Sequence, residues 1–249
     1  MAIVVQRIAS KVDSSSNVGS CSFTGTPSTG NRCIVVGWQW EGKAFSTAVS
    51  DNASGGSNTY AGSERDHATD SQSAWIMHAP LDRTLSNLQM TVTIGSGAVF
   101  CASAIEVSGL LASPVDVTVT SDVTYTGTNP YYWDLASGTL SQAEEIIVRS
   151  IAFPAPAISD YVITEQSWSS QTPTLIVEND GAGINSEYGT AAYLIVSGTS
   201  SVTTQYSSND YGYGSATAVL ISFKGEASAI SEWRNDYAPD RWQIFHNPR

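Results

Sequence analysis

Apolar and polar residues alternate along much of the chain, and turn residues separate the alternating runs. Ile34, Val36 and Trp38 fall on one face of an extended segment, and Met90 and Val92 fall on one face of another. A period of two is typical of a strand that buries one face of a sheet. Eleven runs predict strands: Ala2–Ile8, Cys21–Thr26, Cys33–Trp40, Ala44–Ser50, Ser73–Ala79, Leu88–Ile94, Ala98–Val107, Ile146–Phe153, Thr174–Val177, Ala191–Ser197 and Ala216–Phe223.

Two of these runs are apolar without alternation. Leu194–Val196 and Val219–Ile221 predict central strands covered on both faces. The only helical candidate is Ser141–Glu145, where Ser141 is expected to cap a single turn. Composition is even up to residue 225, and we find no repeat with a period of about 20–50 residues. The pattern therefore predicts one all-β domain over residues 1–225, a single antiparallel β-sandwich of jelly-roll or Ig-like type.

The last part of the chain, residues 226–249, differs from the rest and predicts an irregular C-terminal arm. Its charge is nearly balanced, with 3 basic and 4 acidic residues, and it carries four large aromatic side chains. Such residues are typical anchors in the pockets of a neighbouring chain. An arm folded back over its own domain is the alternative. The candidate partner-binding residues are Trp233, Tyr237, Trp242 and Phe245.

The charge balance excludes two classes of partner. The chain has 11 basic and 23 acidic residues and a formal net charge of -12, the wrong sign for binding nucleic acid or an anionic membrane surface. No apolar run approaches the roughly 20 residues that span a bilayer. The N-terminus lacks the residue order of a signal peptide, so we expect synthesis in the cytosol. We expect Cys21, Cys33 and Cys101 to be small buried residues with free thiols. A disulfide between Cys21 and Cys33 is the alternative.

No catalytic constellation is visible in the sequence. The three histidines, His67, His78 and His246, have no metal-ligand spacing, and no nucleophile elbow or phosphate loop occurs. We therefore expect a protein that is not an enzyme and needs no cofactor.

Two alternatives rest on the acidic residues. A sandwich-fold glycan hydrolase is the first alternative, because glycoside hydrolysis needs only two carboxylates. We expect most acids to be solvated turn or strand-end residues instead, such as Glu64, Asp66, Asp70, Asp116 and Asp122. Calcium binding is the second alternative, at the Asp51/Asn52 turn or in the Asp66–Asp70 loop. Neither segment has the spacing of a known calcium loop.

Two aromatic clusters lie outside the predicted strands. Tyrosine and tryptophan beside Asn and Asp suit a sugar-stacking platform or a hydrated protein interface, because the ring supplies apolar area and the polar edge keeps hydrogen bonds. Capping of the open ends of the sandwich is the third interpretation. The residues are Tyr131, Tyr132 and Trp133 in one cluster and Tyr206, Tyr211 and Tyr213 in the other.

Four segments in order resemble a β-sandwich domain of tailed-bacteriophage virion proteins and some bacterial surface proteins. They are Gly37-Trp-Gln-Trp40, the hairpin Val49-Ser-Asp-Asn-Ala-Ser-Gly-Gly-Ser-Asn-Thr-Tyr60, Ala104-Ile-Glu-Val-Ser-Gly-Leu110 and Ala218-Val-Leu-Ile-Ser-Phe-Lys224. The resemblance covers most of residues 30–225. The chain departs from the pattern at the hairpin, where three extra residues, Ser54, Gly55 and Gly56, enlarge the turn.

The resemblance implies a virion structural protein assembled in the host cytoplasm. Within that class we expect a capsid decoration or cement protein that binds the major capsid protein or other virion proteins, through its arm and sheet edges, as a homo-oligomer in the particle. An acidic body keeps such particles soluble and apart. The alternative is a tail- or fibre-associated protein that binds host glycans through the loop aromatics.

Overall fold

The computed structural model describes residues 2–14, 16, 18–40, 47–67, 72–83, 87–94, 99–128, 130–153, 163–180, 188–209 and 215–226. Within these ranges every regular element is a β-strand: β1 Val4–Ile8, β2 Val12–Ser14, β3 Val18–Ser22, β4 Arg32–Trp40, β5 Ala48–Asp51, β6 Ala61–His67, β7 Gln72–Pro80, β8 Gln89–Thr93, β9 Val99–Ser108, β10 Leu110–Val123, β11 Tyr125–Thr126, β12 Tyr131–Ala136, β13 Glu145–Ala152, β14 Ile163–Glu165, β15 Thr174–Asp180, β16 Tyr188–Val196, β17 Thr203–Ser208 and β18 Ala216–Gly225. The predicted all-β, sandwich-type fold is confirmed. The count rises from about eleven strands to the 18 found in these ranges.

The strands form four antiparallel sheets stacked in order. Sheet 1 is β3-β8-β5, and sheet 2 is β1-β9-β4-β7-β6 with β2 also beside β9. Sheet 3 is β10-β18-β13-β16-β15, and sheet 4 is β11-β12-β17-β14. Three buried cores lie between successive sheets, so sheets 2 and 3 are covered on both faces. Burial on both faces confirms the prediction for Val219–Ile221 in β18, whereas Leu194–Val196 in β16 is only partly covered, because Ile195 is 38% exposed.

The second half of the chain repeats the topology of the first. An offset of nine strands converts the order of sheet 2 into that of sheet 3, and the order β3-β8-β5 into β12-β17-β14. The closing strands share a sequence pattern, because Ile105, Val107 and Gly109 match the spacing of Ile221, Phe223 and Gly225. The repeat is about 116 residues long, counted from Ile105 to Ile221, and so is much longer than the roughly 20–50-residue repeats of solenoids and propellers.

Small residues allow sheets 2 and 3 to approach closely. A Cβ atom on Gly189 would lie 2.4 Å from the indole of Trp38, so the ring packs directly on the glycine backbone. The Ser150 hydroxyl of sheet 3 donates a buried hydrogen bond of 2.7 Å to the Gly37 carbonyl of sheet 2. The two halves are therefore joined by close packing and by a hydrogen bond.

The strands missed in the sequence are mostly polar and lie in edge or outer positions. Examples are β6, β10, β12 and β17, in which Ser, Thr and charged residues occupy the less buried side. The helical prediction for Ser141–Glu145 is wrong. Ser141 donates its amide and hydroxyl hydrogens to Asp116, at 2.7 and 2.5 Å, and Glu145 begins β13.

The two ends of the described chain meet beside this turn. The Ile3 amide donates to the Glu144 carboxylate at 3.1 Å, and the Gly225 amide donates to the Glu144 carbonyl at 2.8 Å. The Glu226 amide donates to the Gly109 carbonyl at 2.7 Å, at the connection between the two halves. Glu226, the first residue of the C-terminal arm, is thus held at the connection between the two halves of the chain.

Candidate functional site

The first predicted aromatic cluster lies on the hairpin β11–β12, at one edge of sheet 4. Tyr125, which is not one of the predicted cluster residues, is 39% exposed and meets the ring of Tyr131 edge-on, with centroids 5.1 Å apart. Tyr131 and Tyr132 are half-buried, and they lie on opposite faces of the sheet because neighbouring residues of a strand alternate. Tyr125, Tyr131 and Trp133 share the face directed toward sheet 3, where Tyr131 packs at the margin of the core and Tyr125 is exposed, while Tyr132 lies on the opposite face.

The structure corrects the platform prediction for Trp133 and Tyr206. These residues pair across β12 and β17, face sheet 3 and are 1% and 0% exposed. Both rings contact Phe153 edge-on, with centroids 5.2 and 5.5 Å away. They belong to strands β12 and β17 and to the core between sheets 3 and 4, rather than capping an open end of the sandwich. Tyr211 and Tyr213 lie outside the described residues.

A buried ion pair lies beneath Tyr206. The Arg149 guanidinium is fully buried, stacks 3.6 Å from the Tyr206 ring centroid and donates to both oxygens of Glu165, at 2.9 and 3.2 Å. The Trp168 indole donates to the same carboxylate at 2.6 Å. Burial raises the pKa of Tyr206, whose hydroxyl donates to Thr190 at 3.1 Å. This cluster links sheets 3 and 4.

The Glu106 carboxylate is bound by other groups of the same chain. Glu106 is 0% exposed, pairs with Arg7 and accepts hydrogen bonds from the Ser28 amide and the Asn31 side chain. Its position in the Glu-Val-Ser-Gly-Leu segment thus has a structural role.

Asp51 closes the hairpin that the sequence proposed as a calcium turn. One oxygen accepts from the Ala53 and Asn58 amides, and the other accepts from the Asn58 side chain and the Tyr60 hydroxyl. Both carboxylate oxygens are therefore occupied by protein donors.

The structure corrects the expectation that Glu64 and Asp66 lie in a turn. Both are in edge strand β6, on the face directed toward sheet 1. Asp122 also lies in a strand and binds Arg65 with two hydrogen bonds of 3.1 and 2.6 Å. Asp70 lies outside the described residues.

The edges of sheets 2 and 3 are poorly suited to strand addition. β1 pairs with β9 of its own chain and has an irregular register at Gln6. β10 and β15 are irregular as well, and β6 carries four consecutive charged or titratable residues. Bulges and charges at edges oppose pairing with another chain. Contacts through side chains are therefore favoured over strand addition at these edges.

The remaining predicted features are as follows. Cys21, Cys33 and Cys101 are buried and free, as predicted, and burial raises the pKa of Cys21 to about 12. Among the described residues no group of three or more His, Cys, Asp and Glu side chains is placed to hold a metal ion. No helix in the same ranges is long and apolar enough to cross a membrane. Trp233, Tyr237, Trp242 and Phe245 lie outside the described residues.

Comparison of the chain with protein-family models, with curated proteins and with solved structures finds no match. The resemblance to phage virion domains therefore stays a prediction.

Proposed function

We propose that this chain is a bacteriophage virion structural protein, a capsid decoration or cement protein without catalytic activity. In this proposal the arm, residues 226–249, binds the major capsid protein or another virion protein, and several copies associate in the particle. The protein is localised in the virion after assembly in the host cytoplasm.

The observation that supports this proposal best is the attachment of the arm. The Gly225 amide donates to the Glu144 carbonyl and the Glu226 amide donates to the Gly109 carbonyl, so the start of the arm is held where the two halves of the chain join. An aromatic segment that starts from a fixed point on a rigid body loses less entropy on docking than one that starts from a mobile linker. The four-layer body then serves as the exposed part of the assembly.

The test uses the full chain with Trp233→Ala and Trp242→Ala combined, mixed with undecorated capsids and sedimented. Loss of these anchors is expected to weaken particle binding at least about 100-fold, since hot-spot aromatics contribute 2 kcal/mol or more each. The control is the pair Trp233→Phe and Trp242→Phe, which we expect to retain most binding. Equal binding by the alanine variant and the natural chain would refute the role of the arm.

A host-recognition protein is the second candidate. The exposed Tyr125 ring, held edge-on against Tyr131, supports it. Tyr125→Ala should then abolish retention on host surface glycans without changing particle binding, whereas Tyr132→Ala, on the other face, should not. Retention that is the same in both variants and the natural chain would exclude this hairpin.

A further inference from the structure

Two carboxylates lie side by side on edge strand β6. Glu64 and Asp66 are two residues apart, so both side chains lie on the same face, roughly 6.5 Å apart along the strand. Across the ladder Glu64 pairs with Trp75 and Asp66 pairs with Ser73. Both acids are partly exposed, so this end of the cluster is open to solvent.

Two buried polar side chains whose oxygens have no hydrogen-bond partner lie on the same face of sheet 2, in the next two strands. Ser73 pairs with Gln39 of β4, which places Gln39 on the same face. Ser73 is 0% and Gln39 is 2% exposed, yet the Ser73 hydroxyl and the Gln39 Oε1 have no hydrogen-bond partner. Buried polar atoms are nearly always hydrogen-bonded in native proteins. Two uncharged oxygens without partners therefore lie on the face of the two carboxylates, that of Ser73 in the adjacent strand and that of Gln39 one strand further in.

The charges of the two acids are poorly compensated. Burial raises the pKa of Glu64, and the Asp66 charge raises it further, while the Thr47 amide donates to Glu64 at 3.1 Å and lowers it. Burial also raises the pKa of Asp66, against the opposing effect of His67 and Arg65. The Arg65 guanidinium itself binds Asp122. A cation at this point would stabilise both ionised carboxylates.

We propose that Glu64 and Asp66, with the Ser73 hydroxyl and the Gln39 amide oxygen, form a binding site for Ca²⁺. All four ligands are oxygens, as Ca²⁺ prefers, whereas Zn²⁺ favours nitrogen and sulfur. The ligands come from three neighbouring strands in an irregular arrangement, which suits Ca²⁺ better than Mg²⁺ because Mg²⁺ requires a strict octahedron. Because only two ligands are charged, the affinity falls in the weak range, with a Kd of about 0.1–1 mM.

Trp75 supplies a spectroscopic probe for the site. Its indole N–H is buried without a partner, and its ring packs over Gly37 of β4 on the face of sheet 2 that carries Glu64. An N–H group is a donor and so serves a water ligand of the ion rather than the ion itself. Because the ring lies on the same face of the sheet as the four ligands, Tb³⁺ bound in place of Ca²⁺ should show emission sensitised by Trp75.

The first test is thermal unfolding of the full chain after chelator treatment, with CaCl₂, MgCl₂ or NaCl at equal ionic strength. We expect about 10 mM Ca²⁺ to raise the Tm by about 3–8 °C and Mg²⁺ to raise it clearly less. Asp66→Asn should remove the Ca²⁺ shift, and Ser73→Ala should reduce it. Glu178→Gln removes one exposed negative charge on β15 and is the matched control that keeps the full shift.

The outcomes decide the proposal as follows. A natural chain whose Tm does not respond to Ca²⁺, or an Asp66→Asn variant with an undiminished shift, would overturn it. Titration calorimetry of the natural chain with CaCl₂ gives a measurement that does not depend on any variant folding. In Trp75→Phe, loss of Tb³⁺ emission with an unchanged Ca²⁺ shift places the ion beside Trp75, while unchanged emission would place it elsewhere and refute the assignment.

Discussion

At the scale of single residues, burial changes the roles that the sequence assigned to charged and aromatic side chains. Trp133 and Tyr206 were candidates for binding and lie in the core, and Arg149, which was not singled out, is the fully buried cation between sheets 3 and 4. A charge buried in this way is stable only while its partner is present, because the desolvation cost must be offset by the ion pair.

The Arg149–Glu165 pair leads to a prediction about stability. Glu165→Gln should lower the free energy of unfolding by about 3–5 kcal/mol, because it leaves the Arg149 charge buried without a counter-charge. Adding Arg149→Met should recover most of the loss, since no buried charge then remains. Urea denaturation of the two variants measures both effects. A double variant less stable than Glu165→Gln alone would contradict this account.

His78 leads to a prediction about pH. Burial, followed by the nearby Arg32 charge, lowers the pKa of His78 from 6.5 to about 4, and Arg32 donates to its Nδ1 atom at 2.8 Å. Between these pH values the unfolded chain binds a proton that the native chain does not, so stability is lost as pH falls through 6.5 toward 4.

His78→Gln keeps an acceptor for Arg32 and removes this titration. Between pH 7 and pH 4.5 the natural chain should lose about 2 kcal/mol more stability than the variant, after allowance for partial exposure. Urea denaturation at several pH values provides the comparison. Parallel pH profiles for the two proteins would rule out His78 as the cause.

At the scale of strands and sheets, the sequence pattern identifies central strands better than outer ones. The runs predicted for β4, β7, β13 and β18 agree with the structure to within about two residues at each end. β10 was missed although it has 14 residues, because its Ser, Thr and Asp residues form an edge with two register irregularities. Polar outer strands carry a weak apolar signal, so long-range pairing decides where they form.

Because sheets 2 and 3 pack closely, a side chain at Gly189 is expected to lower the stability of the fold strongly. Gly189→Ala would place a methyl group 2.4 Å from the Trp38 indole and should cost about 2–3 kcal/mol. Gly198→Ala is the control, since no atom lies within 4 Å of a Cβ there, and we expect a change below about 0.5 kcal/mol. Thermal unfolding tests both. Equal Tm values for the two variants would show that sheets 2 and 3 are less closely packed than described.

At the scale of the whole molecule, the two halves share a core. Residues from both halves, among them Val36, Trp38, Val148 and Ile221, form one buried cluster between sheets 2 and 3. Neither half can unfold without exposing the inner face of the other, so the halves are expected to behave as one cooperative unit.

Cooperative unfolding is the corresponding prediction. Tryptophan fluorescence and far-ultraviolet circular dichroism should give coincident urea transitions, and Val36→Ala should move both to lower urea by the same amount. Two separate transitions, or a fluorescence change that precedes the loss of strand signal, would show that the halves unfold independently.

Several properties follow from the sequence by itself: the all-β fold class, the central strands, the buried free cysteines and the acidic charge. Each depends on local composition or on a period of two, which a single strand already expresses. The tertiary structure decides the four-sheet stack, the repeated topology, the burial of Trp133 and Tyr206 and the row from Asp66 to Gln39. These depend on which strands pair and which faces meet, and such contacts join residues far apart in the chain that no local pattern relates.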